Sequence, residues 1–158
     1  MESRALNNNK MNIVFPDGFT EMTRQELAQM KQTAMGSAVY YTNPERHMIV
    51  TVGWKSAGIF QKSLDAAALC SKMEPALKKA NAPYGYQLKG NAERKIGGQD
   101  AKAVQFTYTA QDIDMYSESY AAKNGKDIYY FNLYTRVESW ENNKVQWENL
   151  LNSVSFAG

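Results

Sequence analysis

Three features of the sequence predict an α+β fold, with consecutive antiparallel strands between two helical regions. Gly97-Gly98 and Asn124-Gly125 are two-residue hairpin signals, each set among alternating apolar residues. Residues 63–80 and 140–152 carry apolar side chains at helical spacing. Strands that follow one another directly, with helices before and after, belong to α+β rather than to alternating α/β architectures.

The elements follow in order. MESRALNNNK is polar and lacks a signal-peptide apolar core, so residues 1–11 read as a flexible lead-in. Whether an export signal, an anchor or another domain precedes Met1 is left open. Asn12–Phe15 reads as a first strand, stopped by the turn residues Pro16-Asp17-Gly18. Thr23–Thr33 reads as a helix, because Thr23 and Glu26 have capping-box spacing. Ala38–Thr42 and His47–Lys55 read as two strands around Asn43-Pro44. Ile49 interrupts the polar side of the second, so both of its faces are expected to be partly covered.

Ser63–Ala80 is the strongest helix. Ala66, Leu69, Cys70, Met73, Ala76, Leu77 and Ala80 form its stripe, and Pro75 is expected to kink or split it. In the first hairpin, turning at Gly97-Gly98 pairs Lys95 with Asp100 and Glu93 with Lys102, two opposite-charge pairs. Continued without a break, that register sets Lys89 against Phe106. One extra residue at Gly90-Asn91 repairs it, pairing Leu88 with Phe106, Tyr86 with Tyr108 and Tyr84 with Ala110. The spacing therefore predicts a β-bulge there. The glycine pair is a turn; neither a phosphate-binding loop nor a dinucleotide fingerprint is present.

Turning the second hairpin on Asn124-Gly125 pairs Tyr120 with Tyr129, Glu118 with Phe131 and Tyr116 with Leu133 on one side. Met115 then meets Tyr134 and Ser119 meets Tyr130 on the other. Trp140–Asn152 closes the chain as a helix, with Ser139 as N-cap and Trp147, Leu150, Leu151 and Val154 as its stripe.

Size and composition bound the function. A chain of 158 residues suits one domain, placed at 12–158, and buries roughly 70% of its unfolded surface without a disulfide staple. Net charge is +2, with no dense Lys/Arg run, so no nucleic-acid partner is expected. The charge is nonetheless uneven: residues 72–102 hold seven basic and three acidic side chains, and residues 111–148 four basic and seven acidic. No apolar run approaches the ~20 residues that span a bilayer. With one cysteine and one histidine, no metal site is expected.

The order of turns and apolar runs resembles the PsbP-like superfamily. The pattern runs from the Pro16-Asp17-Gly18 turn through IGGQDAKAVQF at 96–106 and DIYYFNLY at 127–134 to WENLLNSVSF at 147–156. That superfamily includes the extrinsic photosystem II subunit and the Ran-binding Mog protein. The resemblance covers nearly the whole chain and carries no catalytic motif. It implies an antiparallel sheet with helices on both faces, an α/β/α sandwich. It also implies binding or assembly rather than enzyme chemistry, no cofactor, and, for bacterial members, export or membrane anchoring. PsbP-type metal sites combine His with carboxylates; this chain has only His47, so no ligand set carries over.

Residue by residue, the chemistry is sparse. His47 reads as a strand-end surface residue without a nucleophile to serve. Cys70, on the apolar stripe, reads as buried and inert. Asp112 and Asp114 read as a turn entering a strand, with no calcium loop around them. Glu118 shares a side with Tyr116, Tyr120, Phe131 and Leu133, where a carboxylate is costly to bury. It is read first as an edge residue or as the partner of a helix Lys or Arg, and second as a functional acid. Tyr130, Tyr134 and Arg136 share a strand face, with Asn132 between the tyrosines. These are residue types that dominate interface hot spots, and they form the candidate partner surface if no helix covers them. The expected function is a non-enzymatic binding or assembly domain with a protein partner at a bacterial envelope. A carrier of a small apolar ligand is the second reading and a hydrolase using Glu118 the third.

Overall fold

The computed structural model describes residues 1–30, 37–59 and 61–157. Among the described residues, ten strands and three helices follow in the order β1 (Glu2–Leu6), β2 (Met11–Phe15), β3 (Thr20–Glu21), α1 (Arg24–Met30), β4 (Ser37–Asn43), β5 (Met48–Ser56), α2 (Ala66–Asn81), β6 (Gln87–Ile96), β7 (Gln99–Ala110), β8 (Ile113–Asn124), β9 (Asp127–Arg136), α3 (Trp140–Asn152) and β10 (Ser155–Phe156). Seven strands form an antiparallel sheet in the order β3-β4-β5-β9-β8-β7-β6; a second, three-stranded sheet has the order β1-β2-β10.

The large sheet is covered on both faces, as expected for an α/β/α sandwich. On one face Leu69 and Cys70 of α2 pack against Ala121, Ile128, Val104 and Phe106. On the other, Trp147, Leu150 and Leu151 of α3 join Tyr120, Phe131, Leu133, Val50 and Val52 in the main core. The small sheet covers the rest of that second face through Met11, Ile13 and Phe15. Burying each large apolar side chain contributes about 1.5–3 kcal/mol against the entropy of ordering it, so this face carries most of the folding free energy.

The N-terminus corrects the expectation of a flexible lead-in over 1–11. Residues 2–6 are a strand paired with β2, from Glu2 opposite Phe15 to Leu6 opposite Met11. Leu6 and Met11 are buried, and Tyr41 explains the anchoring. Its ring stacks on Phe15 with centroids 3.7 Å apart, and its hydroxyl donates to the Glu2 carboxylate at 2.5 Å while accepting from Arg4. A polar sequence conceals this, because the strand offers side-chain hydrogen bonds more than apolar bulk.

Thr23 and Glu26 make the reciprocal capping box, with N–H···O distances of 2.9 and 3.1 Å. The expected continuation of that helix over 31–33 lies outside the described residues. Helix α2 begins at Ala66, where Asp65 caps the N–H of Ala68. It runs through Pro75 as one element. Pro75 and Ser71 both face solvent, so the carbonyl that proline leaves without its N–H is open to water. Ala76 and Ala80 of the expected stripe are exposed, whereas Leu69 and Cys70 are buried. Ser139 does not cap α3 with its side chain; a 3₁₀ turn over Val137–Ser139 leads into the helix instead.

The first hairpin has the expected register, with Lys95 opposite Asp100, Glu93 opposite Lys102 and Leu88 opposite Phe106. The bulge falls one residue earlier than expected, on Lys89, between Leu88 and Gly90. Lys89 is exposed, while Asn91 stays in register and donates to the carbonyl of Ala103 at 3.0 Å. Tyr84 sits in a 3₁₀ turn and does not pair with Ala110. Tyr86 precedes the strand, its ring against Phe106 at 5.1 Å.

The second hairpin is two residues out of the expected register. Asn124 pairs with Asp127, so the loop is Gly125-Lys126, and Tyr120 faces Phe131, Glu118 faces Leu133 and Tyr116 faces Thr135. Likewise Met115 faces Arg136 and Ser119 faces Asn132. Glycine takes the first loop position at φ 61, and the Asn124 side chain accepts from Gln99 at 3.0 Å. A slip of two leaves every side chain on its expected face.

Gly97 and Gly98 both have positive φ, 57° and 84°. A Cβ on Gly97 would lie 2.6 Å from the Phe156 ring, whereas one on Gly98 meets nothing within 4 Å. Gly97→Ala is therefore expected to lower stability by about 2–3 kcal/mol in urea unfolding, and Gly98→Ala by about 1 kcal/mol. Equal losses would mean that the Phe156 contact is unimportant.

Candidate functional site

Alternation along β9 divides its side chains between two environments. Tyr129, Phe131, Leu133 and Thr135 face α3 and are buried; Tyr130, Asn132, Tyr134 and Arg136 face the α2 side and are half-buried. Helix α2 packs chiefly over β7 and β8, so β9 and its neighbour β5 lie at and beyond its margin. Tyr130 sits on that margin, against the cluster of Leu69, Ala121 and Ile128, with the Lys55 ammonium 5.7 Å from its ring centroid. Asn132 donates to the Thr51 hydroxyl at 2.8 Å, and Arg136 lies 3.5 Å from the Glu138 carboxylate. The strand thus brings the three residues named from sequence, Tyr130, Tyr134 and Arg136, onto one partly open face.

Glu118 overturns its first reading. It is neither an edge residue nor a partner of Lys or Arg, and only 5% of it is exposed. Trp147 Nε1 of α3 donates to Oε1 at 3.0 Å; the Tyr116 hydroxyl and the Gln105 side-chain amide donate to Oε2 at 2.6 and 3.1 Å. Three neutral donors hold the carboxylate, two from the sheet and one from the helix. Burial and the hydrogen bond to Glu118 push the Tyr116 phenol well above its ordinary range, and burial with the Glu118 charge does the same for Tyr120. Oε1 is thus committed to α3 and Oε2 to the sheet beneath it. The indole donor was missed from sequence, because it depends on where α3 lands.

The other candidates sit apart from both places. His47 is exposed and follows the 3₁₀ turn Pro44–Arg46 with φ 55. Cys70 is buried under α2, and burial raises its thiol pKa. Gln111 and Asp112 form a turn with positive φ, and Asp114 accepts from the Thr109 hydroxyl at 3.0 Å. Among the described residues, no three His, Cys, Asp or Glu side chains cluster as metal ligands. Also among them, no helix is long and apolar enough to cross a membrane. Leu69, Cys70, Met73 and Leu77 of α2 pack on the sheet and fill the space between them.

A seven-stranded antiparallel sheet with helices on opposite faces and a small second sheet defines the PsbP/Mog1-like fold. The chain is similar over 99% of its length to the PsbP protein of the cyanobacterium Synechocystis sp. PCC 6803, with a TM-score of 0.74, 14% identity and 92% of that chain covered. It is similar to Mog1 with a TM-score of 0.63 and 10% identity, covering 98% of this chain and 95% of that one. LpqN of Mycobacterium tuberculosis, involved in cell envelope biogenesis, matches with a TM-score of 0.64 and 11% identity, over 94% of this chain and 83% of its own. No protein-family model and no curated protein matches the sequence.

Two outcomes follow from the buried network. Glu118→Ala leaves the Trp147 N–H without an acceptor and opens a cavity, so a loss of about 3–4 kcal/mol is expected in urea unfolding. Glu118→Gln is expected to cost only about 1–2 kcal/mol, since Tyr116 and Gln105 can turn to accept. Similar small losses for both would show that the network does not hold α3. The second outcome concerns alkaline pH. Burial, and then the hydrogen bond to Glu2, push the Tyr41 phenol from 10.0 up to about 12. The folded chain keeps this proton where the unfolded chain loses it. That contribution to stability is full below pH ~10 and is lost as pH rises toward ~12. Denaturant midpoints should fall over that window, and Tyr41→Phe should flatten the fall; an unchanged slope would refute the assignment.

Proposed function

We propose that this chain is a non-enzymatic binding or assembly domain that recognises a protein partner through the face bearing Tyr130, Tyr134 and Arg136. One observation carries the reading: these residues are half-buried at the margin of α2, on a rigid central strand. Tyrosines and arginine held this way lose little side-chain entropy on binding and offer large amphipathic area. The Lys55 ammonium over Tyr130 adds positive charge to the rim, which suits a partner surface with acidic residues around an apolar centre. The same fold occurs in LpqN, involved in cell envelope biogenesis, and this supports an envelope setting.

The test is affinity capture from the source cell's lysate and membranes, comparing the unaltered chain with the Tyr130→Ser/Tyr134→Ser double variant. A protein retained by the first is expected to be lost with the second, with Arg136→Ala intermediate. Far-UV circular dichroism should show the fold intact. Undiminished capture by a folded double variant would sink the proposed surface.

A further inference from the structure

On the α3 side of the molecule, the β1–β2 turn overhangs the ends of β4, β5 and β9. The cleft between them has a volume of about 400 Å³ and is lined by Asn7, Asn8, Ser37, Trp54, Ser56 and Asp127. In the sheet register Ser37 lies opposite Trp54, and Ser56 opposite Asp127, so these four form two adjacent rows on one face. From the geometry of this cleft we infer that it is a binding site for a neutral saccharide, with Trp54 as the stacking wall.

The polar groups are built rather than incidental. Asn7, Asn8 and Asn9 occupy three successive left-handed positions, with φ of 53°, 55° and 65°. Asparagine tolerates that conformation better than most residues, and a run of three is unusual. The turn carries the Asn7 carboxamide over the sheet, where Nδ2 donates to Asp127 Oδ2 at 2.9 Å and to the Tyr129 hydroxyl at 2.8 Å. Lys10 adds an ion pair to the same Oδ2 at 3.3 Å. Asp127 is only 7% exposed, so its carboxylate is held in place.

These bonds leave a defined set of groups for a ligand. Both Asn7 amide hydrogens are engaged, which fixes the orientation of its Oδ1. Among the described residues no group donates to Asn7 Oδ1 or to Asp127 Oδ1, and the half-buried Trp54 indole N–H has no acceptor. Two fixed acceptors beside an aromatic wall match a pyranose. Its C–H face stacks on the indole, while vicinal hydroxyls donate to the two oxygens, one of them a carboxylate. The volume lies at the small end of ligand pockets and fits one sugar ring or the end of a chain.

Charge decides against other ligands. The Lys10 ammonium already pairs with Asp127 Oδ2 at 3.3 Å, so a cation would have to compete with it. An anion meets the carboxylate, and an apolar ligand would cut Asn8, Ser37, Ser56 and the open oxygens of Asn7 and Asp127 off from water without offering them partners. The Lys55 side chain, which borders the cleft, turns to the opposite face over Tyr130. The site is separate from the Tyr130 surface, so either can fail without the other.

The three tryptophans of this chain permit a test that does not depend on mutation alone. The full ¹⁵N-labelled chain is titrated with methyl glycosides of glucose, galactose, mannose and N-acetylglucosamine and with their disaccharides, following the indole N–H resonances. At least one sugar is expected to shift the Trp54 signal saturably with a Kd of about 10 mM or tighter, leaving Trp147, bonded to Glu118, in place. Trp54→Phe, which also assigns the resonance, and the exposed Asn8→Ala should each weaken binding about tenfold. The inference is overturned if no sugar moves the Trp54 signal, or if tetramethylammonium or inorganic phosphate moves it in their place.

Discussion

The hydrogen bond from the Trp147 indole to the buried Glu118 carboxylate fixes where α3 lies on the sheet, and the C-terminal half of the core depends on that seat. A bare carboxylate facing Leu133 and Tyr120 would be strongly unfavourable. With Trp147, Tyr116 and Gln105 all donating, the cost is offset, and the arrangement becomes selective: α3 satisfies the network in one position along the sheet. Around that point Leu150 and Leu151 supply the apolar area. The polar contact thus specifies the docking that the apolar contacts stabilise.

From this seat the chain closes on itself. The end of α3 delivers β10 to β2, with Ser155 opposite Asn12 and Phe156 opposite Met11. Phe156 then lies against Tyr129 and over Gly97, so the C-terminus, the first hairpin turn and the central strand meet around one ring. The Ser153 hydroxyl is bonded to the backbone of Val14, a second tie between the C-terminal segment and the small sheet. Tyr41, stacked on Phe15, performs the matching task at the other edge and secures β1 through Glu2 and Arg4. The two sheets therefore share one core, and the cleft beneath Asn7 and Asn8 exists because the small sheet reaches past the end of the large one.

The two faces of β9 show how such a scaffold separates stability from recognition. The face toward α3 is buried and apolar. The other lies at the margin of α2 and keeps tyrosines and an arginine half-covered, where side chains are ordered without being sealed off. A central strand holds both sets, so groups available for contact inherit the rigidity of the core.

Much of the fold was legible in the sequence alone. Alternation and helical spacing are local, so β2, the strands from β4 to β9, α2, α3 and the alternation of faces along β8 and β9 followed from them. The charge pairs Lys95–Asp100 and Glu93–Lys102 fixed the first hairpin, because a wrong register there sets mismatched side chains together. The second hairpin lacked such pairs. A slip of two residues keeps every face correct, and only the contacts of Asn124 with Gln99 and of Asp127 with Asn7 and Lys10 distinguish the registers. The strand at Glu2–Leu6, the donors around Glu118 and the cleft at Trp54 were likewise out of reach. Each joins residues that are distant along the chain, and polar side chains of this kind show no periodicity until the tertiary structure brings their partners within hydrogen-bond range.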